Sequence, residues 1–460
     1  MDKQAADKHA AGAGAELDGA TLDKAALDRA AAKASWRILP LLGIAYLVAF
    51  MDRVNISFAA VQMNADLGFS ATVYGIGAGV FFLAYALLEI PSNVIMLRFG
   101  PRRWIARIMV SWGLLSAAMM FVQTPMQFYV LRFLIGAAEA GFYPCAIFYL
   151  SQWFPADRRG RAISRFYLFG PLASVVMGTL SGWLLALDGL GNLHGWQWLF
   201  LVEGLPAVLI GVIVLFFLPD APATSRWLDD DESAALTIAM AQDRQRMGPP
   251  PDHAVLAVMR HRQVQILALL GLLTVSAGMT FSLSTPAILI EATGWSAQRI
   301  GYLVSMGGLF GAAMMAVTGW FMDKRGDRFA AINASAIAVA TGLVLIALAP
   351  SPVLVVGGYF MVAAASWTVS LAAIAVWTDV LQARQLAIGA AAINTVNQIG
   401  VFVVPIGFGM MKDATGSYDA GIFVLVGMLI LALPVSAILK RSLASRNQLS
   451  TDSAIPAAAG

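Results

Sequence analysis

Gly319-Trp-Phe-Met-Asp323-Lys324-Arg-Gly326-Asp-Arg328 closes one long apolar run, and Asn93-Val-Ile-Met-Leu97-Arg98-Phe-Gly100-Pro-Arg102-Arg103, 226 residues earlier, closes another. In each, a lipid-compatible run ends in a turn built on glycine and basic side chains, as at a membrane surface. The same offset carries the start of the first apolar run, near residue 38, onto the start of the seventh, near 264. A fixed offset shared by separate features is what duplication of a unit leaves in a sequence. The unit is six runs long, and such a repeat predicts two helical bundles that rock about a site between them.

Outward from these stretches the whole chain has the same character. Of 460 residues, 59% are hydrophobic and 12% charged, against about 25% charged in a soluble domain. Runs of about 20 apolar residues cross a bilayer as helices. Six are read near 38–61, 72–97, 104–123, 126–150, 161–187 and 196–218, and six near 264–290, 298–322, 329–349, 353–379, 385–411 and 418–440. The predicted fold is therefore an all-α membrane protein of twelve transmembrane helices in two pseudo-symmetric six-helix bundles, 36–218 and 263–440. Residues 1–35 read as an Ala-rich tail, helical from about Glu16, and 441–460 as a second tail. Between the bundles, 219–262 carries Pro219, Pro222, the acidic run Asp229 to Glu232 and Pro249 to Pro251, which is linker chemistry.

Basic residues accumulate on the cytoplasmic side of a membrane protein. Arg98, Arg102, Arg103 and Arg107 follow span 2, Arg158, Arg159, Arg161 and Arg165 follow span 4, and Lys324, Arg325 and Arg328 follow span 8. Only Arg299 and Lys412 are counted on the opposite side. Both termini are expected in the cytoplasm, with the chain multi-pass in the cell inner membrane. The basic loops set topology and give no nucleic-acid signal. Cys145 is the single cysteine, so neither a disulfide framework nor a cysteine metal site is expected. His9, His194, His253 and His261 all fall outside the spans, so protons crossing the membrane must ride on carboxylates. No metal cluster, phosphate loop, nucleophile elbow or appended soluble domain is read, so a membrane enzyme or signalling receptor lacks support, and no catalytic residue or cofactor is expected.

The twelve spans, the long middle loop and the Gly319 to Arg328 motif resemble the major facilitator superfamily. In that family the acid of the loop motif pairs across helices as the cytoplasmic gate works, which assigns Asp323 and Arg328 to gating. The first copy differs, with Leu97 where the acid is usual and Asn93 where glycine is usual. Within the superfamily, the chain is similar to the anion:cation symporter family of tartrate, phthalate and sugar-acid permeases. The carrying residues are Tyr46 through Asp52-Arg53-Val-Asn55, Phe81 to Tyr85 with Glu89-Ile-Pro91-Ser92-Asn93, and Leu131-Arg132 through Gly136, Glu139, Gly141 and Pro144. His194 to Pro206 and Lys412-Asp413-Ala-Thr-Gly416 extend the likeness, which covers residues 36 to about 440. It implies that Arg53 binds the substrate carboxylate and that Asp52 carries a proton.

Asp52, Arg53, Arg132 and Glu139 lie inside stretches that otherwise read as lipid-buried helix. Each such charge costs roughly 2.5 to 3.5 kcal/mol at a helix centre, so the four require pairing or a watery cavity. Arg132 and Glu139 are seven apart and share a helix face, about 10.5 Å along the axis, with Gly136 between them. Asp52 and Arg53 are adjacent and point about 100° apart, so one faces a cavity and the other a helix contact. A guanidinium stays charged and matches a carboxylate with its planar fork. Glu139, near mid-span, is the leading proton-coupling candidate, exchanging its arginine with a bound anion. The alternatives are a snorkelling Arg132 and a static Asp–Arg pair between helices.

The second half offers no charge at the matching depths, which fall at Met279, Gly358 and Ala365. It offers Asn394, Asn397 and Gln398 as one helical stripe, with Ser366, Thr368, Ser370, Trp377 and Thr378 on span 10. Substrate binding is therefore expected from Arg53, Arg132, Tyr46, Tyr85, Asn394, Asn397, Gln398, Trp377 and Ser370. Amides opposite arginines would suit a polyhydroxy acid, or could be interhelical glue. Glu89, Glu203 and Asp379 read as structural acids near span ends, Glu89 with the best claim to gating because it precedes Pro91. The expected activity is proton-coupled uptake of a small organic carboxylate by a monomer in the lipid bilayer; the alternative is a proton-coupled antiporter. Gly170-Pro171 is followed by Leu172-Ala173-Ser174, only part of the glycine-rich signature that resemblance associates with antiporters.

Overall fold

A computed structural model of the protein describes residues 23–247, 260–380 and 386–452. The sequence readings of the two tails before 23 and after 452, and of the triple proline, lie outside the described residues. Among those described, fifteen α-helices supply twelve crossings long and apolar enough for a membrane, with no strand. The first half comprises α1 (Lys24–Leu67), α2 (Ala71–Phe99), α3 (Pro101–Ala118), α4 (Pro125–Glu139), α5 (Phe142–Ser151), α6 (Ala156–Tyr167), α7 (Phe169–Leu185) and α8 (Gly195–Phe217). After α9 (Asp230–Met247), the second half comprises α10 (Arg262–Thr293), α11 (Ala297–Arg325), α12 (Arg328–Leu348), α13 (Pro352–Val380), α14 (Leu386–Thr415) and α15 (Asp419–Asp452).

Two crossings expected as single helices are broken. The fourth is α4 followed by α5, and the fifth is α6 followed by α7. The fourth breaks because Ala140 leaves helical geometry (φ −54°, ψ 127°) and Gly141 enters the left-handed region at φ 88°, which glycine adopts without a Cβ penalty. Backbone groups freed in a membrane need partners from neighbouring helices. Ser92 of α2 donates to the Ala140 carbonyl at 2.6 Å, and the Trp104 indole of α3 donates to Ser92 Oγ at 3.0 Å. The entry to α4 is held by a reciprocal cap, Gln127 N–H to Thr124 Oγ1 and Gln127 Oε1 accepting from the Thr124 amide.

The segment 219–262 is more than a linker. Its helix α9 buries Ala235, Leu236, Ala239 and Met240, a stripe at helical spacing, into the core of the first half. Glu232, 1% exposed, pairs with Lys33 at 2.8 Å and faces Arg29 at 3.6 Å on the first turns of α1. Arg158–Asp28 at 2.5 Å and Arg159–Asp243 at 3.3 Å tie α6 to the same assembly. The sequence reading missed this helix because the acidic run and prolines outweigh a stripe barely two turns long.

Buried side chains of the first half form one cluster, joined by Leu283 and Val401 of the second, whose own buried residues form two. Alternation of the crossings puts the basic loops and α9 at one end, the basic end, and the α1–α2, α7–α8 and α14–α15 turns at the far end. The halves are sealed together at the far end. Gly178 of α7 meets the Gly301 carbonyl of α11, and Gly75 of α2 meets the Pro405 carbonyl of α14, each too close for any side chain. Asp413 of α14 accepts from the Ala71 and Thr72 amides at 2.9 and 2.8 Å, capping α2 of the other half. Tyr74 donates to the Leu283 carbonyl at 2.6 Å. Toward the basic end, the described hydrogen bond between the halves is Asn394 to Glu89, at 3.2 Å.

Candidate transport site

The α4 break decides where Glu139 sits. It is the last residue of α4, at mid-depth, among carbonyls that carry partial negative charge at a helix C-terminus. Its compensating cation is Arg53 of α1. Arg53 Nε and Nη2 both reach Glu139 Oε1 at 2.7 Å, and Glu139 is 0% exposed. Glu139 Oε2 has no partner. The Arg53 guanidinium also lies 5.0 Å from the Tyr85 ring centre, an attraction of roughly 2 kcal/mol or more when desolvated.

The adjacent pair divides as its geometry requires. Arg53 keeps 20% of its side chain exposed, whereas Asp52 is buried against α3. Asp52 Oδ1 accepts from Ser116 in a short hydrogen bond and from Asn55 Nδ2 at 3.3 Å, while Oδ2 has no partner. Arg132 is 1% exposed, which removes the snorkelling alternative. It gives Nε to the Gly77 carbonyl at 3.3 Å, lies 4.7 Å from the Phe81 ring centre, and leaves Nη2 unpartnered. Gly136 packs on the Phe81 carbonyl, so the space it leaves is taken by α2. Glu203, read as a span-end acid, is buried beside Asn55 with both carboxylate oxygens unpartnered. Its apolar neighbours Leu199, Phe200 and Ala207 carried the only available signal.

A cavity of about 300 Å³ lies between the halves, below the sealed far end. Phe50, Val54 and Ser57 of α1 line it, on the helix face whose rim carries Arg53. Phe50 meets Trp367 of α13 with ring centres 5.4 Å apart, and Trp367 was not singled out in the sequence. Of the residues expected to read the substrate from the second half, Asn394, Asn397, Gln398 and Trp377 do not line this cavity. Asn397 is buried against Gly271 of α10, Asn394 is given to Glu89, and Trp377 packs with an apolar cluster. Gln398 is half-buried and does not line the cavity. Tyr46 stacks on Phe166 with centres 4.6 Å apart, so its ring face is occupied. The side chains of Ser370, Thr378, Asp379 and Asp323 lie outside the described residues.

At the basic end, Glu89 does bridge the halves through Asn394. Arg328 is half-buried at the start of α12. The loop-motif acid with described contacts is Asp327, which caps the Ala330 amide at 3.0 Å and pairs with Lys440 of α15 at 2.9 Å. The Lys440 ammonium, aided by the Ala330 amide, holds the Asp327 carboxyl below its ordinary value. Its signal in the sequence was the Gly326-Asp327-Arg328 turn preceding an apolar run.

Twelve crossings in a duplicated pattern, sealed at one end around buried charge and a central cavity, define a polytopic membrane transporter and not an enzyme. The profile of the Major Facilitator Superfamily matches residues 42–405, and the chain belongs to that family. It is 40% identical over 413 residues to a "Putative tartrate transporter" of Agrobacterium vitis, covering 89% of this chain and 91% of that protein. It is 35% identical to a "Quinolone resistance transporter" of Acinetobacter baumannii, over 87% of this chain and 92% of that protein. Its fold matches a crystal structure of a bacterial homologue of the human lysosomal transporter Spinster, inward-facing and unoccupied, with a TM-score of 0.76. Identity there is 17%, covering 89% of this chain and 98% of that one. The tartrate relative agrees with the anion:cation symporter likeness of the first, second and fourth crossings.

Proposed function

We propose that the chain takes up a small organic carboxylate together with protons, by alternating access, as a monomer in the cell inner membrane with both termini in the cytoplasm. The observation that carries this reading is the Arg53–Glu139 pair: one carboxylate oxygen holds two guanidinium nitrogens while the other holds nothing. An incoming carboxylate offers Arg53 a full bidentate partner, which Glu139 in this geometry does not. When Arg53 turns to the anion, Glu139 is left in a dry site and takes the proton. The occupied site is then nearly neutral, the condition for moving it through a low-dielectric barrier.

Asp52 serves as the second proton site and Arg132 as the charge that steadies it, both behind the cavity wall. Two protons with a monoanion give net inward positive charge, worth about 2.3 kcal/mol per charge per 100 mV of membrane potential. Glu89, Asp323 and Arg328 work the basic-end gate as the halves rock. The tartrate relative supports an organic acid as cargo. The quinolone-resistance relative favours a second reading, proton-driven extrusion.

One assay separates the two. Purified protein in proteoliposomes is given an imposed pH gradient and a panel of carboxylates, with accumulation and proton flux recorded. Carboxylate entry accompanied by proton entry in the same direction is expected. Opposite movement of cargo and protons would replace symport with antiport.

A further inference from the structure

The cavity beside Arg53 is poor in hydrogen-bonding capacity. Its 25 described lining residues include no charged and no amide side chain. Seven carry hydroxyls, and five of those already donate to backbone carbonyls: Ser57 to Val54, Thr274 to Leu270, Thr285 to Phe281, Ser366 to Val362 and Tyr359 to Val304. Of the amide stripe that would recognise sugar hydroxyls, Asn394 is given to Glu89, Asn397 is buried against Gly271, and neither they nor Gln398 line the cavity. What remains is a wall of rings and thioethers, with Phe50 and Trp367 in contact across the two halves and Phe281, Met177 and Met279 around them.

We propose that the cargo is a monocarboxylate with an apolar, ring-sized body, its carboxylate on Arg53 and its body in the cavity against the Phe50–Trp367 pair; this rests on the carboxylate reading above. A polyhydroxy chain placed here would lose water without gaining matching partners, which disfavours it against a ring. A second carboxylate would be buried without a cation, because among the described residues no basic side chain lines the cavity. A flat ring has neither liability and gains stacking area on Phe50 and Trp367. A cavity of about 300 Å³ is at the small end of the range that takes small molecules, roughly 300–1,000 Å³.

The test is equilibrium binding of radiolabelled benzoate, gluconate and tartrate to the full detergent-purified chain, in wild type, Trp367→Ala and Trp367→Phe. Benzoate is expected to bind at least tenfold more tightly than either hydroxy acid. Trp367→Ala should weaken benzoate about tenfold, and Trp367→Phe, which keeps a ring, should restore most of it. Tighter gluconate or tartrate binding would overturn the cargo class while leaving carboxylate transport standing. Benzoate binding indifferent to Trp367→Ala would remove this cavity as its site. Binding of none of the three acids, in protein whose thermal unfolding is intact, would overturn the carboxylate reading together with this one.

Discussion

Arg53 and Glu139 are each held by what the other supplies, so their substitutions should fail differently. Glu139→Gln leaves an amide that accepts from Arg53 but carries no proton load. It should abolish accumulation driven by a pH gradient while substrate counterflow persists, and unaltered accumulation would take Glu139 out of coupling. Arg53→Lys keeps the charge but loses the planar fork. It should weaken carboxylate binding about tenfold, roughly 1.4 kcal/mol, measured by the same equilibrium binding. The four charges were legible because lipid penalises them wherever they lie, and the divergence of Asp52 and Arg53 followed from helical pitch. Which of the two faces the cavity was not legible, because it depends on Ser116 of α3 waiting behind Asp52. The Asn394–Asn397–Gln398 stripe shows the same limit: its spacing was plain, but Gly271 and Glu89 decide what it meets.

At the scale of elements, the α4–α5 break positions Glu139, and Gly141 makes it possible. A Cβ on Gly141 would lie 2.5 Å from Ser92 Oγ in a backbone region unsuited to L side chains, at φ +88°. Gly141→Ala should cost about 1–3 kcal/mol and appear as a lower unfolding temperature in detergent with coupling impaired. An unchanged temperature would mean that the break is not strained by a side chain. The apolar lengths made all twelve crossings readable, whereas the break depended on Ser92 and Trp104 being placed by other helices. The Asp327 cap of α12 gives a pH signature. Its carboxyl titrates below its ordinary value beside Lys440, so its contribution is present above the unfolded value, about 3.9, and is lost as pH falls through the lower folded value. Asp327→Asn keeps a capping side chain without the charge. Wild type should be the more stable at neutral pH, and the two should converge in acid; parallel curves would deny the ion pair a role.

For the whole molecule the question is what holds the far end shut. Glycines at 75, 178 and 301 let backbones touch, and that contact is broad and unspecific in direction. Asp413 is different, because it belongs to one half and caps the first two amides of α2 in the other, at 2.9 and 2.8 Å. Such a cap exists only when the far end is closed, so its free energy biases the alternating-access equilibrium directly. Removing a capping carboxylate costs about 1 kcal/mol, which is about fivefold in population at 1.4 kcal/mol per decade. Nitroxide labels at Asn192→Cys, between α7 and α8, and Ala292→Cys, at the C-terminal end of α10, both exposed at the far end, report the separation by pulsed electron resonance in a background lacking Cys145. Asp413→Ala should enlarge the long-distance population about fivefold without substrate. A distance distribution identical to that of the parent would show that the glycine contacts alone close the far end.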